Sequence, residues 1–98
     1  MTTIKIGSRQ FTIKRASVVV SSNGQECHGL TDHLNDLIVL SKQYPTHHKD
    51  TIIHELLHAM LDASGASRLV SDEELFVRIL TPHLLSVIQQ LIAKKLLQ

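Results

Sequence analysis

Several residue types are scarce in this chain of 98 residues, and their scarcity limits the classes to which it can belong. Cys27 is the only cysteine, so an intrachain disulfide is excluded and a reducing compartment is expected. The chain has two phenylalanines, one tyrosine and a net charge of +1, which does not favour nucleic-acid binding. No apolar run approaches the roughly 20 residues of a membrane span, and the N-terminus lacks a signal-peptide core. We therefore expect a cytoplasmic protein without a nucleic-acid or membrane partner.

The rest of the composition is that of one small globular domain, with 43% hydrophobic and 19% charged residues. We predict a single domain over residues 1–98, with a sheet in residues 1–41 and a helical part in residues 45–98. A domain of this length buries a modest core, so a bound metal ion would be a useful source of stability. Seven histidines are present, and this number makes a chance metal-binding pattern easier to obtain.

The first forty residues predict a small, mostly antiparallel sheet of three or four strands. β-branched and apolar residues cluster or alternate there, between turn signals at Gly7-Ser8, at residues 21–25 and at Asn35-Asp36. The predicted strands cover residues 3–6, 10–20, 27–34 and 37–40.

From Pro45 onward the apolar residues recur at helical spacing, and the fold class is therefore α+β. Pro45 suits a first helical turn, and Gly65 suits a helix end, so a helix is predicted over residues 46–63. Ser71 and Glu74 have the spacing of a capping box, which predicts the start of a further helical part.

Pro82 interrupts the helical pattern that follows the capping box. A proline at this position either kinks the helix or begins a new one, so one or two C-terminal helices are expected.

The segment HELLH at residues 54–58 is the main candidate for a functional site. His54 and His58 lie four residues apart on one helix face, and both can therefore reach one zinc ion. Glu55 points about 100° round the helix from His54, where it can act as a general base without binding the metal. The alternative is that both histidines are hydrogen-bonded core residues and that Glu55 pairs with a lysine.

A catalytic zinc ion usually takes three protein ligands, so a third must come from elsewhere. The candidates are the three acids that begin the next helix: Asp72, Glu73 and Glu74. Asp72 is short, and the capping box already accounts for Glu74, so we predict Glu73. His83 lies ten residues beyond Glu73, or about 15 Å along a continuous helix. This distance favours packing or a supporting hydrogen bond for His83 over zinc binding.

The segment DTIIHELLHAML, followed by DEELFVRILTPHLLSVI, resembles small zincin-like proteins of phages and bacteria. It is more distantly similar to the peptidase domain of the ImmA/IrrE family. The resemblance implies a zincin-like minidomain, with His54 and His58 as zinc ligands, Glu55 as the base and a glutamate near position 73 as the third ligand. It also implies a protein substrate such as a repressor.

The sequence thus predicts a zinc-dependent metallopeptidase-like protein that hydrolyses a peptide bond in a specific protein or peptide substrate. If the chain is phage-encoded, its place of action would be the cytoplasm of the bacterial host. The alternative is a non-catalytic, zinc-stabilised phage accessory or inhibitor protein that acts by binding a protein. The oligomeric state is left open.

Overall fold

The computed structural model of this chain describes residues 2–97. These residues form an α+β fold in which a four-stranded sheet is followed by two α-helices, and this confirms the predicted fold class. A short 3₁₀ turn precedes each α-helix. In chain order the elements are β1 (Thr2–Ile6), β2 (Arg9–Ala16), β3 (Gly29–Asp32), β4 (Leu37–Ser41), the turn Pro45–His47, α1 (His48–Ser64), the turn Ala66–Leu69 and α2 (Glu73–Ala93).

The sheet has the strand order β1-β2-β4-β3 and is mixed rather than wholly antiparallel. β1 and β2 form a hairpin around Gly7, whose φ of 62° is a left-handed conformation that glycine adopts without strain. β3 pairs antiparallel with β4 at one edge, but β2 and β4 run parallel. Two of the three pairings are antiparallel, in agreement with the predicted mostly antiparallel sheet, and β2 and β4 run parallel because β3 carries the chain back along the sheet before β4 begins.

The second and third strands are shorter than predicted. The predicted strand over residues 10–20 ends at Ala16, and Val20 makes only an isolated bridge with Glu26. The apolar residues after Ala16 belong to a loop, in which the turn over residues 21–25 closes with a hydrogen bond from the N–H of Ser21 to the carbonyl of Gln25. The apolar run alone could not separate a strand from this loop.

One face of the sheet packs against α1 and forms the main apolar core. Phe11 of β2, Ile38 and Leu40 of β4, and Ala59 of α1 are buried together. Ala59 is fully buried, and its small side chain allows the helix to approach the strands closely. This contact fixes the helix that carries residues 54–58 relative to the sheet.

α1 matches the predicted helix over residues 46–63 apart from its first turn. Pro45–His47 form a 3₁₀ turn, and the α-helix itself runs from His48 to Ser64. Gly65 ends the helix as predicted, with a φ of 76° and an N–H that donates to the carbonyl of Asp62 at 3.1 Å. This left-handed ending begins the reversal of the chain toward α2.

The predicted capping box at the start of α2 is wrong. Asp72, not Ser71, is the N-cap residue, and its side chain accepts a hydrogen bond from the backbone N–H of Leu75 at 3.1 Å. The helix therefore begins at Glu73, one residue later than the capping box implies. Glu74 is free of a capping role and can direct its carboxylate elsewhere.

Pro82 neither ends α2 nor starts a new helix, because α2 is continuous from Glu73 to Ala93. A proline removes one backbone hydrogen bond, in this case to the carbonyl of Arg78, and Arg78 is exposed so that solvent can satisfy this group. The hydroxyl of Thr81 also donates to the carbonyl of Val77 at 2.7 Å. The extra bond holds the turn that precedes the proline.

Much of the surface of α2 is uncovered. By length and composition alone this helix could cross a membrane. The sequence prediction, which considered only uninterrupted apolar runs, missed this property. The core helix of a soluble protein satisfies the same two criteria. Within Glu73–Ala93, however, only Val77 and Thr81 are buried. The expected absence of a membrane partner stays a prediction.

β3 approaches α1 so closely that the position of Gly29 admits no side chain. A Cβ atom there would lie 2.6 Å from Cγ2 of Thr51, 3.2 Å from the carbonyl oxygen of Val39 and 3.3 Å from Cγ of Glu55. Glycine is therefore required at this point for the helix and the strand to meet.

We expect the substitution Gly29→Ala to destabilise the fold by about 1–3 kcal/mol, the usual cost of overpacking a close contact. Chemical denaturation of the variant and of the wild type would measure the difference. The double variant Gly29→Ala with Thr51→Ser removes the obstructing methyl group and should recover part of the loss, judged against Thr51→Ser alone. Equal stability of Gly29→Ala and wild type would show that α1 and β3 do not approach this closely.

Candidate metal centre

Three side chains converge between α1 and α2. Nε2 of His54 lies 2.9 Å from one carboxylate oxygen of Glu74, and Nε2 of His58 lies 2.8 Å from the other. Among residues 2–97, this is the one group of three histidine, cysteine, aspartate or glutamate residues whose ligand atoms all lie within 4.8 Å of one another. Two imidazole nitrogens and a carboxylate are a donor set that zinc accepts.

The local structure explains why these three residues meet. His54 and His58 lie one helical turn apart on α1, with ring centroids 5.0 Å apart in an edge-to-face arrangement. The chain reverses at Gly65, and Glu74 follows as the second residue of α2. The packing of α2 on α1 then brings its first turn against the middle of α1.

Glu73, the predicted third ligand, lies on the other side of His58. Its carboxylate oxygen is 2.5 Å from Nδ1 of His58, whereas Glu74 faces the Nε2 atoms of both histidines. Glu73 is thus placed to support the His58 ring, since a metal-binding histidine usually donates its second N–H to a carboxylate or carbonyl. The ligand role of Glu73 stays a prediction, and the geometry favours Glu74 for that role.

The carboxylates around His58 set the charge of the group. Burial of His58 lowers the pKa of its imidazole, but the hydrogen bond with Glu73 and the negative charges of Glu55 and Glu74 outweigh that effect, so the pKa is raised. Burial of Glu73 raises its own pKa, and hydrogen bonds from His58 and Ser67 outweigh this and lower it. Both shifts have the same physical cause, since the His58 imidazolium and the neighbouring carboxylates stabilise each other's charged forms.

Glu55 lies beside the three converging side chains and outside their group, as its angular position on α1 requires. It is buried, with 8% of its surface exposed, and one carboxylate oxygen accepts a hydrogen bond from the hydroxyl of Thr31 at 2.7 Å. The same hydroxyl lies 3.1 Å from the backbone carbonyl of Glu55. Thr31 of β3 therefore orients the Glu55 carboxylate, which the sequence alone did not reveal.

A cleft of about 830 Å³ contains this group and opens between β3, α1 and α2. Gly29, Leu30 and Thr31 of β3 line one side of it. The other side includes His54, His58 and Glu74, which are called here the metal group. β3 is an edge strand, so a backbone edge borders the cleft. An extended peptide could pair with such an edge.

Two further cleft residues bear on the chemistry. Arg78 is the one lysine or arginine among the cleft-lining side chains in residues 2–97, and it follows Glu74 by one helical turn. Cys27 also lines the cleft, but burial and then the charge of Glu55 raise the pKa of its thiol. A protonated thiol is a poor nucleophile, so cysteine catalysis is disfavoured there.

The other histidines lie outside the metal group. The ring of His28 stacks on His47 with centroids 5.2 Å apart, and Nε2 of His48 lies 3.0 Å from the carbonyl oxygen of Ser41. Packing or a supporting hydrogen bond was predicted for His83; its side chain is exposed, so packing is wrong and the hydrogen bond stays a prediction. His83 lies on a side of α2 that the rest of residues 2–97 leaves uncovered.

No family model, no curated protein and no solved structure matches this chain. The resemblance to small zincin-like proteins and to the ImmA/IrrE peptidase domain therefore stays a prediction from the sequence motif.

Proposed function

We propose that the chain is a zinc-dependent metallopeptidase that hydrolyses a peptide bond in a protein or peptide substrate. The observation that carries this proposal is the convergence of His54, His58 and Glu74 in a cleft where Glu55 is held beside them. Two histidines and a glutamate, with a second glutamate as base, are a donor set known in zinc peptidases.

His54, His58 and Glu74 would hold the zinc ion, and Glu73 would fix the orientation of His58. When bound, zinc polarises a carbonyl group and lowers the pKa of a water molecule. Glu55 is then placed to accept a proton from water and to pass it to the leaving amine. Thr31 holds the Glu55 carboxylate in one orientation, so that this proton acceptor is preorganised.

The edge of β3 would align an extended substrate beside the metal group. Strand addition uses backbone hydrogen bonds and therefore tolerates many side chains, while the cleft would select among them. Arg78 supplies the one permanent positive charge of the cleft-lining side chains in residues 2–97, and it suits a carboxylate or the oxygen that becomes negative during hydrolysis.

The direct test is the incubation of the zinc-loaded full chain with unfolded casein and with a mixture of random-sequence peptides, followed by mass spectrometry of new termini. We expect cleavage that stops when a chelator is added and returns when zinc is restored. A protein that binds zinc at this site but generates no new termini in either probe would contradict the peptidase proposal.

Zinc should also stabilise the fold. We expect about one zinc ion per chain, because one such group of ligand atoms is present within residues 2–97. Free zinc at about 100 times its dissociation constant should raise the free energy of unfolding by about 2.7 kcal/mol. Thermal unfolding with zinc and with chelator measures this change, and His54→Ala serves as the control in which zinc should have little effect. Identical melting curves of the wild type in both conditions would mean that zinc does not bind the folded state.

A second candidate function is a non-catalytic protein that uses zinc as a structural link. The contacts of α2 favour it, because this helix makes its main contact with α1 and the metal group joins the same two helices. In that case the protein would act by binding a protein partner, as a small accessory or inhibitor protein of a phage would. The substitution Glu55→Gln distinguishes the two functions, because a structural link needs no base.

A further inference from the structure

We propose that the outer side of α2 binds the same side of a second copy of this chain, so that two α2 helices pair antiparallel in a homodimer. This surface, called here the outer stripe, consists of exposed residues that follow one another at steps of three or four positions along the chain. Its members are Asp72, Phe76, Ile79, His83, Val87, Gln90 and Lys94.

The spacing of the outer stripe keeps its side chains on one side of the helix. At about 100° per residue, steps of three and four residues stay close to whole turns, so the members from Phe76 to Gln90 share one side of α2, and the N-cap Asp72 and the C-cap Lys94 flank them. Three of its members are large apolar side chains with much of their surface in solvent: Phe76 is 41% exposed, Ile79 59% and Val87 51%. His83 separates Phe76 and Ile79 from Val87, and exposed apolar side chains that share one side of a helix are typical of an interaction surface.

The outer stripe is separate from the surfaces of α2 that are already in use. Val77 and Thr81 are the buried residues that face the interior of the fold. Glu74 and Arg78 line the cleft and lie on the roughly opposite side of the helix from the stripe. Pairing through the stripe therefore leaves the metal group accessible, and it does not depend on the proposed peptidase function.

The order of residues in the stripe is complementary to itself when two copies run antiparallel. With His83 at the twofold axis, Asp72 faces the partner's Lys94, because both lie eleven residues from the centre. Ile79 faces the partner's Val87, since both lie four residues from it, and Phe76 faces the partner's Gln90. Opposite charges meet at both ends of the pair, and the apolar residues meet near its middle.

A parallel pairing lacks this agreement. It would place each Asp72 beside the partner's Asp72 and each Lys94 beside the partner's Lys94, and like charges at such positions are destabilising. The helix dipoles also oppose each other favourably only in the antiparallel arrangement. The charges of the stripe therefore select a second copy in one orientation.

A membrane is a poorer occupant for the same surface. The part of α2 without aspartate, glutamate, lysine or arginine covers residues 79–93, which is about 22 Å of helix against a hydrocarbon core of about 30 Å. Spanning would draw Arg78 or Glu74 into the hydrocarbon. Asp72, at one end of the stripe, would also be repelled by an anionic lipid surface.

The size of the surface limits the expected affinity. One pair of helices with about three heptads buries less than the roughly 800 Å² per partner of a standard interface. We therefore expect a reversible dimer with a dissociation constant on the order of micromolar.

Sedimentation equilibrium of the full chain over a concentration series tests the proposal. We expect a monomer–dimer equilibrium that Ile79→Lys weakens at least tenfold, because a lysine would face the apolar middle of the pair. Lys94→Glu should also weaken the dimer, because it places a glutamate beside the partner's Asp72. Lys95→Glu makes the same charge change one residue further on, outside both α2 and the outer stripe, and should leave the equilibrium unchanged.

A rescue variant separates the charge contact from a loss of folding. Adding Asp72→Asn to Lys94→Glu removes the repulsion but keeps a side chain that can cap α2, so part of the dimer should return. Circular dichroism confirms that each variant is folded. A wild-type chain that is monomeric at all concentrations, or equal effects of Lys94→Glu and Lys95→Glu, would overturn the proposal.

Cross-linking tests the position of the twofold axis. In a Cys27→Ser background, His83→Cys should form a disulfide between copies under mild oxidation, since each residue 83 meets its own counterpart. Gln89→Cys, on another side of α2, should cross-link much more slowly. The reverse order would overturn the proposed pairing, as would a monomer that binds vesicles of phosphatidylcholine and phosphatidylglycerol instead of a second copy.

Discussion

Replacing Glu55 with glutamine should remove peptide hydrolysis while the fold and the zinc content stay nearly unchanged. Glutamine has the size of glutamate, and its amide oxygen can still accept the hydrogen bond from the hydroxyl of Thr31. It cannot accept a proton from water at neutral pH. The loss of a general base costs about 100- to 10,000-fold in rate, which a peptide assay with termini detected by mass spectrometry can measure.

Asp50→Asn is the matched control for this variant. Asp50 also lies on α1 and lines the same cleft, so the change from carboxylate to amide is the same. It does not belong to the metal group, and its substitution should leave the rate largely intact. If Glu55→Gln keeps full activity, the assignment of Glu55 as the base is wrong. If it keeps the biological effect while His54→Ala loses it, zinc serves the structure instead.

Removing the carboxylate of Glu74 should weaken zinc binding more than removing that of Glu73. Glu74 faces Nε2 of both His54 and His58, so Glu74→Ala deletes one of the three proposed ligands. Glu73 contacts Nδ1 of His58, and the loss of such a supporting partner typically reduces metal affinity by about 10- to 100-fold. Competition with a chelating dye of known affinity would give both dissociation constants.

The control for this pair is Asp72→Asn, which removes a third carboxylate from the same turn and keeps the N-cap hydrogen bond. It should leave the zinc affinity nearly unchanged. The opposite ranking, with Glu73→Ala weaker than Glu74→Ala, would restore Glu73 as the ligand. It would also mean that α2 starts one residue earlier, or that its first turn is rotated so that Glu73 rather than Glu74 faces both histidines.

The candidate site was largely predictable up to its third ligand. Because His54 and His58 are four residues apart, they lie on the same face of a helix. Helix geometry alone directs the side chain of Glu55 away from that face. The choice between Glu73 and Glu74 depends on the start of α2, since one residue rotates a side chain by about 100°. The sequence predicted Ser71 as the cap, whereas Asp72 caps α2, so the predicted start of the helix lay one residue too early.

The fold class was predictable, but the pairing of the strands was not. Alternating and clustered β-branched residues mark the strands, whereas the parallel contact of β2 with β4 arises from the path of the chain through β3. The support of Glu55 by Thr31 has the same origin, because these residues are distant in sequence and meet only when β3 packs on α1. Gly29 permits that approach, and although the sequence predicted a strand over residues 27–34, it did not reveal that a helix would pack this closely on it.

α2 shows a third limit of sequence analysis. The sequence predicts packing or a supporting hydrogen bond for His83, whereas His83 is exposed in the structure. The helix is instead apolar on more sides than the fold covers, so that Ile79 and Val87 remain exposed. Spacing identifies which residues share a side of a helix, but only tertiary packing decides whether that side is covered.

The most direct test of the zinc site is zinc K-edge X-ray absorption of the protein loaded with one equivalent of zinc, compared with Glu74→Ala. We predict two imidazole nitrogens at about 2.0–2.1 Å and otherwise oxygen ligands, with the oxygen shell altered in the variant. A sulfur ligand at about 2.3 Å would instead implicate Cys27. That result, or a zinc environment without two histidines, would contradict the site of His54, His58 and Glu74.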